Sequence, residues 1–424
     1  MIPIRWDEIV GLSIGRLENP PRDGAITGIE ADSRDVGPGH LFVALNTGVR
    51  FVDDARSRGA TTLVPDDQET ALAALASLVR SKSDARVVAV VGSVGKTSTK
   101  DILGALCVPH VPTVSAKRSL NNEIGVPLTV CRLESETRVL VTEMGMRGLG
   151  QIADLCAIAR PHIAVVSHIG PEHLELVGTV ERVAQANAEA IAALPPGGTA
   201  VVPAASRELE HNLDRDDIEI RRFDTADVEF ADGRGRFRMR GATIELDLPF
   251  TQRHQALNTL AALHAYDALG LPLERAQEGA RDIAFSPWRG EERALPGGGF
   301  VINDAYNANP DSMRAALLHL AERAGERRRV AILGEMAELG DAADAYHHEV
   351  ATLAHELEVE VIGVGEPAAA YGAAVLVAGP KEAAAAARGF VRPGDAVLVK
   401  ASRAVGLEGI AEEIANFADA WSLY

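Results

Sequence analysis

"VVGSVGKTSTK", residues 90–100, joins an apolar run to two glycines, a lysine and a row of hydroxyl side chains. The run "RVVAVVG" reads as a buried strand stopping at Gly92, and 97–107 reads as a helix. Glycines let a backbone curl closely around a phosphate chain with its N–H groups turned inward. A helix N-terminus adds a dipole that favours negative charge. In that frame Lys96 is a point charge for the β/γ-phosphates, and the Thr97 hydroxyl is a hard ligand for Mg²⁺. Ser93 and Ser98 share the loop and count as nucleotide-binding candidates with Gly92 and Gly95. The spacing is Gly-x-x-Gly-Lys-Thr, shorter than the common Gly-x4-Gly-Lys-Thr. The bland alternative is a Gly-rich turn with an N-cap threonine. The strand before it and the helix after it argue against that, and so does the scarcity of lysine. Lys100, one turn on, fits either a second anion contact or a solvated face.

Only Lys82, Lys96, Lys100, Lys117, Lys381 and Lys400 occur among 42 basic residues, so 36 are arginine. Three of the six lysines fall between 96 and 117. The formal net charge is −18. A surface this acidic repels nucleic acid and anionic membranes, so an anionic ligand must be held locally. Cys107, Cys131 and Cys156 are odd in number, far apart and without metal-type spacing, as expected of buried free thiols in a reducing compartment. "MIPIRWDEIVGL" lacks a basic-then-apolar signal pattern, and no stretch reaches about 18 uninterrupted apolar residues. A cytoplasmic location is the expectation.

The 424 residues suffice for two or three domains, and the pattern divides into three segments of an α/β protein. Residues 1–85 read as a small α/β domain, with strands at 41–45 and 61–65 and a helix near 69–81. Residues 86–285 alternate strand and helix, as in a P-loop parallel-sheet ATPase domain. Strands fall at "TVSA", "VLVTEMG", "HIAVVSHIG" and "GTAVVP", with helices starting near Pro127 and at 150–159 and 179–194. Residues 218–250 alternate and carry turn glycines, as in β-hairpins. Residues 286–424 repeat the pattern as a Rossmann-like domain, with helices at 311–324, 343–357, 381–391 and 406–420.

Other candidates cluster where strands end, the usual place for ligands in open α/β sheets. Glu143, in "VTEMGM", is placed to hold Mg²⁺. "SHIGPEHLE" sets His168, Glu172 and His173 past the next strand, with His173 the candidate. "NDAYNANPDSM" groups Asp304, Tyr306 and Asn307 at another strand end, and helix capping explains part of that stretch. "VLVKASRAVGLE" places Lys400, Ser402 and Arg403 at a further one. "SLNNEIGVP" starts a helix, and its Asn and Glu need be no more than caps.

In order along the chain, "GSVGKTSTK", "NNEIGVPLT", "TEMGMRGLGQI", "HIGPEHLE", "RHQALNTLAA", "NDAYNANPDSM", "LGEMAELG" and "VLVKASR" resemble the Mur ligases. These are ATP-dependent enzymes of peptidoglycan precursor synthesis, and the resemblance is greatest to those that add D-Ala-D-Ala. It covers the whole chain and is strongest from 87 to 424. It implies a cytoplasmic, Mg–ATP-dependent amide ligase, usually a monomer, acting on a UDP-N-acetylmuramoyl tripeptide and D-Ala-D-Ala. The donor carboxylate is phosphorylated to an acyl phosphate, which the amine attacks. Carried over, the loop and Lys96 bind phosphates, and Thr97 and Glu143 hold the first Mg²⁺. His173 ligates a second metal, Asn258 contacts adenine, and Arg289 and Asp304 contact the nucleotide. Asn122, Asn307, Asn309, Lys400 and Arg403 fall to the substrate side, and Ser33 and Arg34 to the UDP-linked donor.

Three departures stand out. The helix "TVERVAQANAEAIAALP" has no lysine where many family members carry a carbamylated one bridging two metals. Gln185 or Asn187 occupies that region, leaving a weaker second site or one to which Glu189 contributes. His168 replaces the asparagine of the "NIGP" motif. "NTGVRFVDDARSRGA" replaces a longer loop near the UDP site. Two other readings therefore stay open: a Mur-type ligase for a different carboxylate and amine, and a nucleotide-binding protein that has lost ligation. Lys96→Ala is expected to abolish turnover and leave the fold intact; unchanged turnover would disprove the phosphate-loop assignment.

Overall fold

A computed structural model describes residues 1–418. The chain forms two compact units. The first comprises Met1–His168, Gln185–Thr251 and Gln255–Ala284; the second comprises Ile169–Ala184, Gln252–His254 and the chain from Phe285 onward. As the sequence pattern implies, the protein is α/β, with a small N-terminal mixed sheet, a central parallel sheet and a C-terminal, mostly parallel sheet in sequence.

In the first unit, strands Gly15–Glu18, Thr61–Pro65, His40–Val43 and Gly28–Glu30 lie in that order. The first pair is antiparallel and the others parallel. The central sheet runs Glu219–Phe223, Thr199–Pro203, Ile163–Val166, Arg86–Val91, Val139–Glu143, Thr113–Ser115, all parallel. Five of the six residues of Arg86–Val91 are buried. Such a strand reads as a continuous apolar run because helices cover both faces of a parallel sheet. The chain starts the sheet at Arg86–Val91, crosses to the edge with Thr113–Ser115 and fills the place between them with Val139–Glu143. It then builds on the other from Ile163–Val166, so the strand order reverses beside the first strand. Ligands of doubly wound sheets sit at the carboxyl end of such a point.

The expected hairpins at 218–250 are only partly so. Glu219–Phe223 joins the parallel sheet, in register with Thr199–Pro203. It is the outermost strand of that sheet and not a hairpin arm. Val228–Ala231, Arg234–Met239 and Ala242–Asp247 then form an antiparallel meander. Gly235, Phe237 and Met239 turn inward and the arginines between them outward, where Arg234, Arg236 and Arg238 face Asp247, Glu245 and Glu229 on neighbouring strands.

The second unit's sheet runs Glu291–Leu295, Gly299–Asn303, Ala396–Lys400, Arg329–Gly334, Val359–Val364, Val375–Val377, with only the first strand antiparallel. Helices Pro310–Ala324 and Ala343–Glu356 pack on one face. Pro380–Phe390 and the helix starting at Ile410 pack on the other. That last helix is described through Ala418; residues 419 and 420 of the expected span lie outside the described residues. No described helix is long and apolar enough to cross a membrane.

Cys107, Cys131 and Cys156 are free and buried, and burial pushes each thiol up to about 12. A thiol this basic is almost entirely protonated and inert at neutral pH. The native protein should therefore react with no equivalent of an aromatic disulfide reagent within minutes, and with three once denatured. Rapid labelling of the native chain would contradict the buried placement.

Candidate active site

The strand Arg86–Val91 delivers the chain to Gly92 between two paired neighbours. Ser167, the first residue past the adjacent strand, donates its amide to the Val91 carbonyl at 2.9 Å. Its hydroxyl donates to the carbonyls of Val91 at 3.0 Å and Val94 at 2.6 Å. The Ser93 amide donates to the His168 carbonyl at 2.8 Å. His168 thus serves the loop through its backbone, so the departure from asparagine does not disturb that bond.

Both glycines are required. Gly92 has φ +127°, and a Cβ there would lie 2.5 Å from the Ser167 hydroxyl oxygen; Gly95 has φ +85°, and a Cβ there would lie 2.5 Å from Asn258 Oδ1. Gly95 immediately precedes the helix Lys96–Cys107. A chain of amides supports the loop from beneath. Asn258 Nδ2 donates to Gln255 Oε1 at 2.9 Å, and Gln255 Nε2 to Ser98 Oγ at 3.1 Å. The ammonium of Lys96 folds over the loop, donating to the carbonyls of Gly92 and Ser93.

Glu143 ends the neighbouring strand and is 1% exposed. Its Oε1 accepts from Asn121 Nδ2 at 2.8 Å; its Oε2 is buried with no hydrogen-bond partner. An unsatisfied buried carboxylate oxygen is costly, and a hard divalent cation would relieve it. The Thr97 hydroxyl, 2.9 Å from Ser119 Oγ, is the matching hard oxygen donor in the same unit. These residues fit a Mg²⁺ ion.

The carboxamide in contact with Glu143 belongs to Asn121; Asn122 Oδ1 accepts from the Gly125 amide at 2.9 Å, where the helix Gly125–Val130 starts. Lys100 lies on no solvated face. It is 1% exposed, and its ammonium donates to the carbonyls of Ala116 at 2.8 Å and Arg118 at 2.9 Å beside Asp101. It ties the helix Lys96–Cys107 to the loop leading to Ser119. Glu189 also has structural duty. Its oxygens accept from the amides of Gly150 at 2.6 Å and Ala153 at 3.0 Å, capping the helix Gln151–Ala159. In the N-terminal part Ser33 is buried, while exposed Arg34 pairs with Asp32 at 2.5 Å.

The second unit holds the remaining candidates. Lys400 ends an inner strand and is 2% exposed. Its ammonium donates to Asp304 Oδ2 at 2.6 Å and to the Asn307 carbonyl at 2.8 Å. Burial pulls its pKa down and Asp304 pushes it back up. Asn309 and Ser312 form a reciprocal capping box that starts the helix Pro310–Ala324. The guanidinium of Arg289 lies 3.9 Å from the Tyr306 ring centre, and that of Arg403 lies 4.5 Å from the Trp288 ring centre. Ser402 accepts from the Ala337 amide at 2.8 Å. The Asp304–Asn309 loop, the "GEMAELG" loop and the 400–403 turn are thereby tied together.

His173, at φ +53°, bonds through Nδ1 to Glu338 Oε2, and its Nε2 is 3.7 Å from Glu172 Oε1. Among the described residues no three His, Cys, Asp or Glu side chains converge as metal ligands. Sequence reasoning missed Asn121, Ser167 and Glu338. The only available signal was position, since each adjoins or lies within a motif already singled out.

Residues 90–266 match the Mur ligase middle domain, and 289–403 match the Mur ligase glutamate ligase domain. The chain is 34% identical to the UDP-N-acetylmuramoyl-tripeptide–D-alanyl-D-alanine ligase of Mycobacterium bovis, over 96% of each chain. It is 31% identical to the ligase of the same name from Escherichia coli, over 86% of this chain and 87% of that one. A crystal structure of MurF from Acinetobacter baumannii superposes with a TM-score of 0.84 at 27% identity, covering 98% of this chain and 99% of the other. MurF ligase from Thermotoga maritima in complex with ADP gives 0.80 at 26% identity, covering 93% and 98%.

Removing the carboxylate of Asp304 would leave a buried ammonium without its counter-charge. Asp304→Ala is expected to cost roughly 3 kcal/mol in urea unfolding. A loss below about 1 kcal/mol, the range of an exposed pair, would show that Lys400 does not depend on it.

Proposed function

The chain belongs to the Mur ligase family, and from that premise we propose that it uses ATP to join D-alanyl-D-alanine to UDP-N-acetylmuramoyl-tripeptide in peptidoglycan precursor synthesis. One observation carries the reading beyond the similarity: a doubly glycine-hinged loop at the strand-order reversal, in the same unit as a buried carboxylate with one unsatisfied oxygen. That is the equipment for a magnesium-bound nucleotide.

A carboxylate is a poor acyl donor. One of its oxygens attacks the γ-phosphorus, ADP departs, and the resulting acyl phosphate meets the amine of the dipeptide. The amide bond forms as inorganic phosphate leaves and the nitrogen gives up its proton to water. The loop amides and Lys96 orient the phosphates and offset their charge. Mg²⁺, held by Thr97 and Glu143, would neutralise further charge on the transferred group. We assign His173 to a second metal and Asn258 to the adenine. Arg289, Asp304, Asn307, Asn309, Lys400 and Arg403 form the second unit's contact set, Asn122 falls to the substrate side, and Ser33 and Arg34 to the donor. A three-domain division at 85/86 and 285/286, a monomeric state and a cytoplasmic location complete the proposal.

A second reading, ligation of a different donor carboxylate, draws on one feature. The segment Asn46–Phe51, a 3₁₀ turn with no buried residue, presents Val49 and Phe51 about half exposed where a longer family loop is expected. Phosphate release from ATP decides between the two. Release that requires both UDP-muramoyl tripeptide and D-Ala-D-Ala supports the first reading, and turnover with another donor or amine supports the second. Tight nucleotide binding with no amine-dependent release would refute both.

A further inference from the structure

The amide of Gly92 is the first one past the parallel ladder, whose last pair is Val91 with Val166. At that depth water does not serve it, and a buried N–H without an acceptor costs as much as a lost hydrogen bond. Its acceptor is Asn187 Oδ1, at 2.6 Å and 95 residues away in sequence. Asn187 lies on the helix Val180–Ala192 and is 1% exposed. Gln185, the other residue in the region where the family resemblance expects lysine, is exposed. An unmodified lysine carries no acceptor and could not satisfy this amide.

We propose that Asn187 is a positioning residue for nucleotide binding: its side-chain carbonyl holds the Gly92 amide and so fixes the entry of the phosphate loop. Gly92 is then wedged between two fixed walls. Ser167 and the His168 backbone block it on the Cβ side, and the carboxamide holds it through the amide. With its first residue set, the remaining loop amides and Lys96 are pre-arranged for phosphate and lose little further freedom on binding. The helix that carries a charged metal bridge in many relatives here supplies a neutral clamp.

The inference rests on the reading of Gly92–Thr97 as the phosphate site, so the test begins with wild type. Binding of ADP by the full-length protein in EDTA, followed by calorimetry, reads the loop without metal or turnover. Wild type is expected to bind; if it does not, the phosphate-site reading fails and not the role of Asn187. Asn187→Ala is expected to weaken ADP roughly tenfold and to raise KM for ATP while leaving KM for D-Ala-D-Ala unchanged. Hydrogen exchange should quicken across 91–94 in this variant and stay slow in Asn187→Asp, which keeps the acceptor. Should the alanine variant fail to fold, Asn187→Leu, which fills the space without an acceptor, carries the same expectations. ADP affinity equal to wild type in either folded variant overturns the proposal.

Discussion

The first unit turns on what happens when a strand buried on both sides stops. Within the sheet, each amide of Arg86–Val91 has a place in the ladder. At Gly92 the ladder ends, the interior does not, and every following polar group must find a partner or a ligand. The chain meets this with side chains from distant elements: Ser167 from the next strand, Asn187 from the helix beyond it, and Asn258 through Gln255 to Ser98. The helix that follows starts at Lys96, and the field at a helix start favours anions.

The second unit solves a similar problem with charge. Lys400 is drawn out of water at the end of an inner strand, and its three donors converge on one short loop. Asn309 and Ser312 then convert that loop into a helix. The ammonium therefore works first as a fastener for the "NDAYNANP" turn, and any contact it makes with a ligand is made from a position that the fastening defines.

Much of this was legible in the sequence, because the relevant patterns are local. A continuous apolar run followed by Gly-x-x-Gly-Lys-Thr specifies a strand, a curled loop and a helix within a dozen residues. The strands and helices of the C-terminal half announced themselves by periodicity in the same way. What stayed hidden depends on pairs distant in sequence. Neighbouring Asn121 and Asn122 cannot be told apart until the strand carrying Glu143 is in place. Lys100 reads equally as an anion contact or a surface residue until its loop folds over it. Glu219–Phe223 is polar and largely unburied like a hairpin arm, because it is the edge strand of the parallel sheet. Glu189 offers a carboxylate of the right type in the right region, yet the amides of another helix claim it.

The meander at 228–247 has a consequence of its own. Its outward face carries arginines opposed by carboxylates on the flanking strands, so charge is balanced only within a single copy. Were identical strands from many molecules to stack in register, each arginine would sit above another arginine and each glutamate above another glutamate. That arrangement is repulsive at every rung. The same ladder that ties the three strands together therefore acts as a guard against fibrillar self-assembly.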